Sequence, residues 1–137
     1  MEAEKQIVVE EKDIDGLHHV NNSVYLNYLE HGREAWYIKH AGYSYEDFPK
    51  ANLGTVVLKI SILYKKEALL HDVLRVITKP NNLGNTSFVF EQKILNDKEE
   101  LVCEAIVTKV MIDFTTRKSR PVIEEIAGPF RAALDKN

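Results

Sequence analysis

At 137 residues the chain is long enough for one domain with a real hydrophobic core and too short for two. A hydrophobic content of 45% excludes a disordered chain, and a net charge of −3 with both signs interspersed excludes a broad basic footprint for nucleic acid. No run of about eighteen apolar residues suggests a membrane span, and the first residues, M-E-A-E-K-Q, lack the apolar core of a signal peptide, so a cytoplasmic protein is expected.

Residues 5 to 12, K-Q-I-V-V-E-E-K, read as a first strand. The polar stretch D-I-D-G-L-H-H-V-N-N, residues 13 to 22, reads as a loop. From Ser23 the apolar period becomes helical. Val24, Tyr28, His31, Ala35 and Ile38 form one stripe, and Tyr25, Leu29, Gly32 and Trp36 form another beside it. Ser23, Asn27, Glu30 and Glu34 leave only a narrow polar face, so this helix is expected to be largely enclosed. Asn22 is placed to cap it and Gly42 to stop it.

Alternation then signals strands over 56–64, 72–79, 86–95 and 100–114, with turn clusters at 81–85 and 96–99. The single cysteine, Cys103, lies among Leu101, Ala105 and Val107 and reads as a small buried hydrophobe. Pro121 can start a C-terminal helix that Gly128-Pro129 should interrupt. Short turns between strands favour antiparallel pairing in meander-like succession. The predicted fold is therefore α+β, an antiparallel sheet curled around one long helix. The apolar strands Val56–Tyr64 and Leu101–Phe114 are candidates for open sheet edges that pair between subunits.

The polar loop has two readings. Asp13 and Asp15 suit turns, and Asn22 suits a cap, for local hydrogen-bonding reasons alone. The functional reading starts from position. The first turn of a helix offers unpaired amides and a partial positive charge, which can hold a developing oxyanion. Asp15 lies on a loop able to fold back over that helix end, and a carboxylate beside oxyanion donors suits acyl transfer. Other chemistries fit less well. His18 and His19 are adjacent, so they rarely converge on one metal, and no Cys-x-x-Cys or His-x-x-x-His spacing supplies further ligands. His31, His40 and His71 are scattered. No Gly-x-Ser-x-Gly elbow and no glycine-rich phosphate loop appears. No metal and no cofactor is expected.

The block D-I-D-G-L-H-H-V-N-N-S-V-Y-L-N-Y-L-E resembles the 4-hydroxybenzoyl-CoA thioesterase family of the hotdog fold. The resemblance extends over nearly the whole chain through Tyr64, L-L-H-D and G-N-T-S-F-V-F-E. It implies a single hotdog domain over residues 1–137, homodimers or homotetramers, and hydrolysis of acyl-CoA to free acid and CoA. Asp15 matches the family's catalytic aspartate, acting as nucleophile or general base. The junction Asn21-Asn22-Ser23 is expected to bind substrate, with the amide near Asn22 polarising the thioester carbonyl. His19 matches a histidine of the related plant acyl-carrier thioesterases, which carry an asparagine where this chain has Leu17. Many relatives have glycine where this chain has His18.

Tyr25, Tyr28 and Trp36 either line an acyl pocket or are simply core. The basic run T-T-R-K-S-R, residues 115 to 120, either holds the phosphates of coenzyme A or is a solvated turn, and Thr86 and Ser87 are further candidates for that contact. Two other functions compete. One is release of acyl chains from acyl carrier protein, which needs a broader basic surface than residues 117–120 offer. The other is non-catalytic acyl-CoA binding, which has no use for Asp15.

Overall fold

The computed structural model describes residues 1–135. Its strands are β1 (Ala3–Val8), β2 (Leu53–Tyr64), β3 (Val73–Leu83), β4 (Ser87–Leu95) and β5 (Leu101–Asp113). They form one antiparallel sheet in the order β1-β3-β4-β5-β2. The succession β3-β4-β5 is the expected meander. β2 departs from it: it pairs with β5, from Leu53 opposite Asp113 to Tyr64 opposite Cys103, not with β3. The sheet edges are thus β1 and β2, and Leu101–Phe114, expected as an edge, runs inside.

Local chemistry explains the shifted boundaries. β1 ends at Val8, before a 3-10 turn at Glu11–Asp13, because the Asp13 carboxylate accepts the Glu10 amide at 3.0 Å and pulls the chain out of extension. β3 continues into the predicted turn cluster because a bulge between Pro80 and Asn82 accommodates the proline.

Helix α1 (Val24–Trp36) crosses the inner face of the sheet. A π-helical turn, Tyr37–Ala41, extends it, and Gly42 ends it in the left-handed region at φ +78°, its amide bonded to the Tyr37 carbonyl. The helix is less enclosed than its pattern predicts. Tyr25, Tyr28, Leu29, Gly32, Arg33 and Trp36 are buried, but His31 is exposed and Leu26 and Ile38 keep 39% and 56% of their surface. The sheet covers only one side of it. Gly32 marks the closest approach, and beside it Gln92 on β4 donates to the Leu29 carbonyl (2.9 Å) and Thr78 Oγ1 (2.8 Å). Gln92 Oε1 accepts from Arg33 at 3.1 Å. A buried polar stitch therefore fixes the helix against the sheet.

Two cores result. Leu29, Leu74, Val76, Ile94 and Val107 build one beneath the first half of α1. Trp36, Tyr37, Phe88, Phe90 and Phe130 build the other, ring edge to ring face. Phe130 comes from α3 (Glu124–Leu134), which passes through Pro129 instead of breaking there. Burial of Ile126 and Phe130 on either side offsets the hydrogen bond that proline cannot make. A short helix, α2 (Asp47–Lys50), escaped the periodicity and brings Phe48 to this core.

Lys109 on β5 is also buried, with Nζ 3.4 Å from the Thr55 carbonyl. Burial first, then the neighbouring Arg33 charge, pushes its ammonium down to about 8, while Glu30 acts the other way. The sign follows from proton linkage. Below pH 8 both folded and unfolded chains carry the charge and the burial penalty is complete; between about 8 and 10.5 the folded state loses its proton first and stability rises. Lys109→Met is therefore expected to stabilise the fold at pH 7 by about 1 kcal/mol, with the gain fading above pH ~10. Thermal unfolding at the two pH values checks this; a less stable variant at pH 7 contradicts it.

Candidate active site

Residues 14–20 form a miniature hairpin between β1 and α1. Ile14 bridges Val20, and the Asp15 amide bonds to the His19 carbonyl at 3.0 Å. The turn needs a left-handed residue, and His18 supplies it at φ +65°, with its amide on the Asp15 carbonyl. This is the place where the family resemblance expects glycine, and histidine is among the side chains that tolerate this conformation. The hairpin docks on the rest of the fold through the Val20 amide, 2.9 Å from the Ala68 carbonyl, and the Ala68 amide donates in turn to the Tyr25 hydroxyl at 3.1 Å.

Asp15 is half-buried, and its Oδ1 accepts the Leu17 amide at 2.8 Å. His19 Nδ1 lies 3.1 Å from the Val20 carbonyl. A carbonyl only accepts, so Nδ1 carries the proton and Nε2 of the neutral ring is left as the acceptor.

The capping residue is not the one expected. Ser23 holds the N-cap position with helical dihedrals and no side-chain cap bond. Asn21 does the work attributed to Asn22: its Oδ1 accepts the Ser23 amide (3.0 Å) and hydroxyl (2.8 Å), and its carbonyl accepts the Val24 amide (2.9 Å). The Asn22 carbonyl instead receives the Tyr64 hydroxyl at 3.1 Å, joining the helix start to the end of β2.

His19, Asn22, Tyr25 and Tyr64 line a cleft of about 250 Å³, closed at one side by Lys65 and Lys66. Tyr25 and Tyr64 meet edge to face at 5.5 Å, and burial raises the pKa of both phenols. Asp15, Asn21 and Ser23, expected at the site, stand outside this lining. A larger groove of about 680 Å³ runs between β1 and the outer side of α1 and holds Asp13 and Tyr28, away from His19 and Asn22. Trp36 lines neither concavity; it is core. Tyr64, Lys65 and Lys66 line the cleft and were not among the expected substrate-binding residues; a Tyr-Lys-Lys run ending an amphipathic strand was the available signal.

The basic run 115–120 lies at the other end of the β2–β5 pair, where Asp113 Oδ1 accepts the amides of Thr115 and Thr116 and Arg117 stacks on Phe114 at 4.6 Å. Thr86 and Ser87 sit near the same end, with Ser87 opposite Val110. None of these is among the residues that line the cleft. Among the described residues, no group of three or more His, Cys, Asp or Glu side chains is placed to hold a metal ion. Cys103 is fully buried and burial pushes its thiol up to about 12, so it is a core residue and not a nucleophile.

The family model described as the thioesterase-like superfamily matches residues 9–130. The chain is 33% identical over 115 residues to the long-chain acyl-CoA thioesterase FadM of Escherichia coli strain K12, covering 83% of this chain and 86% of that protein. It is 28% identical over 126 residues to the acyl-CoA thioester hydrolase YbgC of Escherichia coli O6:H1, covering 92% of each. The solved structure of Slr0204, a 1,4-dihydroxy-2-naphthoyl-CoA thioesterase from Synechocystis, superposes over 100% of both chains with a TM-score of 0.86 at 19% identity, a likeness of fold.

Proposed function

The chain belongs to the thioesterase-like superfamily and is a thioester hydrolase; from that premise we propose that its single domain hydrolyses acyl-CoA to free acid and CoA in the cytoplasm. The observation that carries the reading is the junction itself. The hairpin that carries Asp15 leads directly into α1, and His19 from its end shares one cleft with Asn22 and two aromatic rings. Asp15 acts as nucleophile or general base. As a base it takes a proton from water while the water oxygen bonds to the carbonyl carbon; the C–S bond then breaks, and Asp15 returns that proton to the leaving thiolate, which restores the carboxylate. A thioester suits so sparse a site, since its carbonyl has weak resonance protection and its leaving group is good. The Asn22 amide is assigned to the carbonyl oxygen because Asn21 already occupies the amides of Ser23 and Val24. Thiol release measured across short, long, branched and aromatic acyl-CoAs tests the reaction and ranks its substrates.

The active unit in this reading is a homodimer or a homotetramer built from it. β2 is an open edge on which Val56, Val57, Leu58, Leu63 and Tyr64 are exposed, Leu58 by 68% at the bulge. β1, the other edge, is short and carries Glu4 and Lys5. Antiparallel pairing of two β2 strands about a two-fold axis sets the Tyr64 end of one subunit beside the Leu53 end of the next. That carries one subunit's basic 115–120 run toward the other's cleft, where coenzyme A phosphates need cations. Sedimentation at decreasing concentration, with activity measured on the same samples, is expected to show activity falling as dimers dissociate. A stable monomer with full specific activity contradicts the shared site.

A further inference from the structure

We infer that Asp13 and Tyr28 are a positioning pair that sets the Asp15 hairpin against α1, an inference that rests on the role proposed for Asp15. Asp13 is only 8% exposed, and its Oδ2 accepts two hydrogen bonds, from the Tyr28 hydroxyl at 2.7 Å and from the Glu10 amide at 3.0 Å. Its carbonyl accepts the Asn21 amide at 3.0 Å. One residue thereby ties the end of the β1 connection, the far side of the hairpin and the second turn of α1 together. Everything between Asp13 and Asn21 is the hairpin that carries Asp15 and His19.

Asp15 has no such anchor of its own. Among the described residues the hydrogen bond to its carboxylate comes from Leu17, inside the same hairpin. Its place relative to the helix start is therefore inherited from the hairpin base, where Asp13 and Tyr28 meet, and from Val20 on Ala68. The two supports reach α1 through tyrosines three residues apart, Tyr28 for Asp13 and Tyr25 for Ala68, which lie on one helix face. The bond between Asp13 and Tyr28 is short and both residues keep little exposed surface, so it holds direction as well as distance. Burial, followed by the hydrogen bond to Asp13, raises the Tyr28 pKa, so the phenol stays a donor.

Tyr28→Phe keeps the ring and removes only the hydroxyl. If the pair positions Asp15, kcat should fall roughly 10- to 100-fold, the penalty of a slightly misplaced catalytic group, while KM stays within about twofold because the cleft is untouched. Asp13→Asn, which keeps an oxygen acceptor for Tyr28, should retain more activity than Asp13→Ala. Amide hydrogen exchange gives a readout independent of the reaction: residues 14–20 should exchange faster in Tyr28→Phe while residues 29–36 of α1 stay protected. Unchanged kcat, equal losses in the two Asp13 variants, or exchange accelerated evenly through α1 would each overturn the pair's positioning role. If the wild-type protein releases thiol from no acyl-CoA, the proposed function fails, and the exchange pattern still decides whether the pair orders the hairpin.

Discussion

Replacing Asp15 by asparagine is expected to lower thioester turnover about 10²- to 10⁴-fold without unfolding the protein. The substitution is nearly isosteric. The new amide oxygen can still accept the Leu17 N–H that Asp15 Oδ1 accepts at 2.8 Å, so the hairpin keeps its shape. What is lost is the negative charge, and with it both the nucleophile and the base. His19→Ala provides the contrast. If His19 only steadies the hairpin through its bond to the Val20 carbonyl, the variant should be milder and should keep the wild-type pH–rate profile. If the free Nε2 moves a proton, the loss should approach that of Asp15→Asn and the profile should change. Full activity of Asp15→Asn in a clean thiol-release assay would remove Asp15 from the mechanism.

Gly32→Ala is expected to destabilise the fold by about 1–3 kcal/mol, although in an exposed helix the same change stabilises by about 1 kcal/mol. Contact decides the sign. A Cβ at Gly32 would stand 2.4 Å from Val76 Cγ1, 3.0 Å from Gln92 Nε2 and 3.1 Å from Thr78 Oγ1. Val76 is fully buried and β-branched, so it cannot swing aside. Gln92 and Thr78 are already bonded to each other, and Gln92 also to the Leu29 carbonyl. Relief requires α1 to lift off the sheet, which breaks that stitch and loosens both cores. The unfolding midpoint should drop by roughly 5–10 °C. A midpoint equal to or above that of the wild type would mean that the helix is not held at this distance.

Much of this architecture can be read from local pattern. β4 and β5 begin and end within a residue of where alternation ends, because neighbours on both sides impose a clear inner and outer face. Gly42 stops the helix in the left-handed conformation that glycine favours. Nonlocal facts were not legible. Nothing in Val56–Tyr64 says that its partner is the last strand instead of the next one. Pro129 reads as a breaker and is tolerated because of something distant, the aromatic core under α3, while β3 runs on past Pro80 through a bulge of its own opposite β4. The inner polar set, Arg33 on α1 and Thr78, Gln92 and Lys109 on the sheet, looks like surface chemistry until the helix is laid across the strands. At the candidate site the polar cluster stood out, but the division of labour between Asn21 and Asn22 did not. Adjacent asparagines offer the same groups, and only the backbone angle at the helix start selects one of them.

The most direct measurement of the central claim is product analysis of the wild-type protein with a panel of acyl-CoAs, titrating free thiol and carboxylic acid together. Many turnovers per protein chain, with acid and thiol released in equal amounts, are expected. Stoichiometric binding of acyl-CoA without release, or turnover of acyl groups from carrier protein alone, would contradict it.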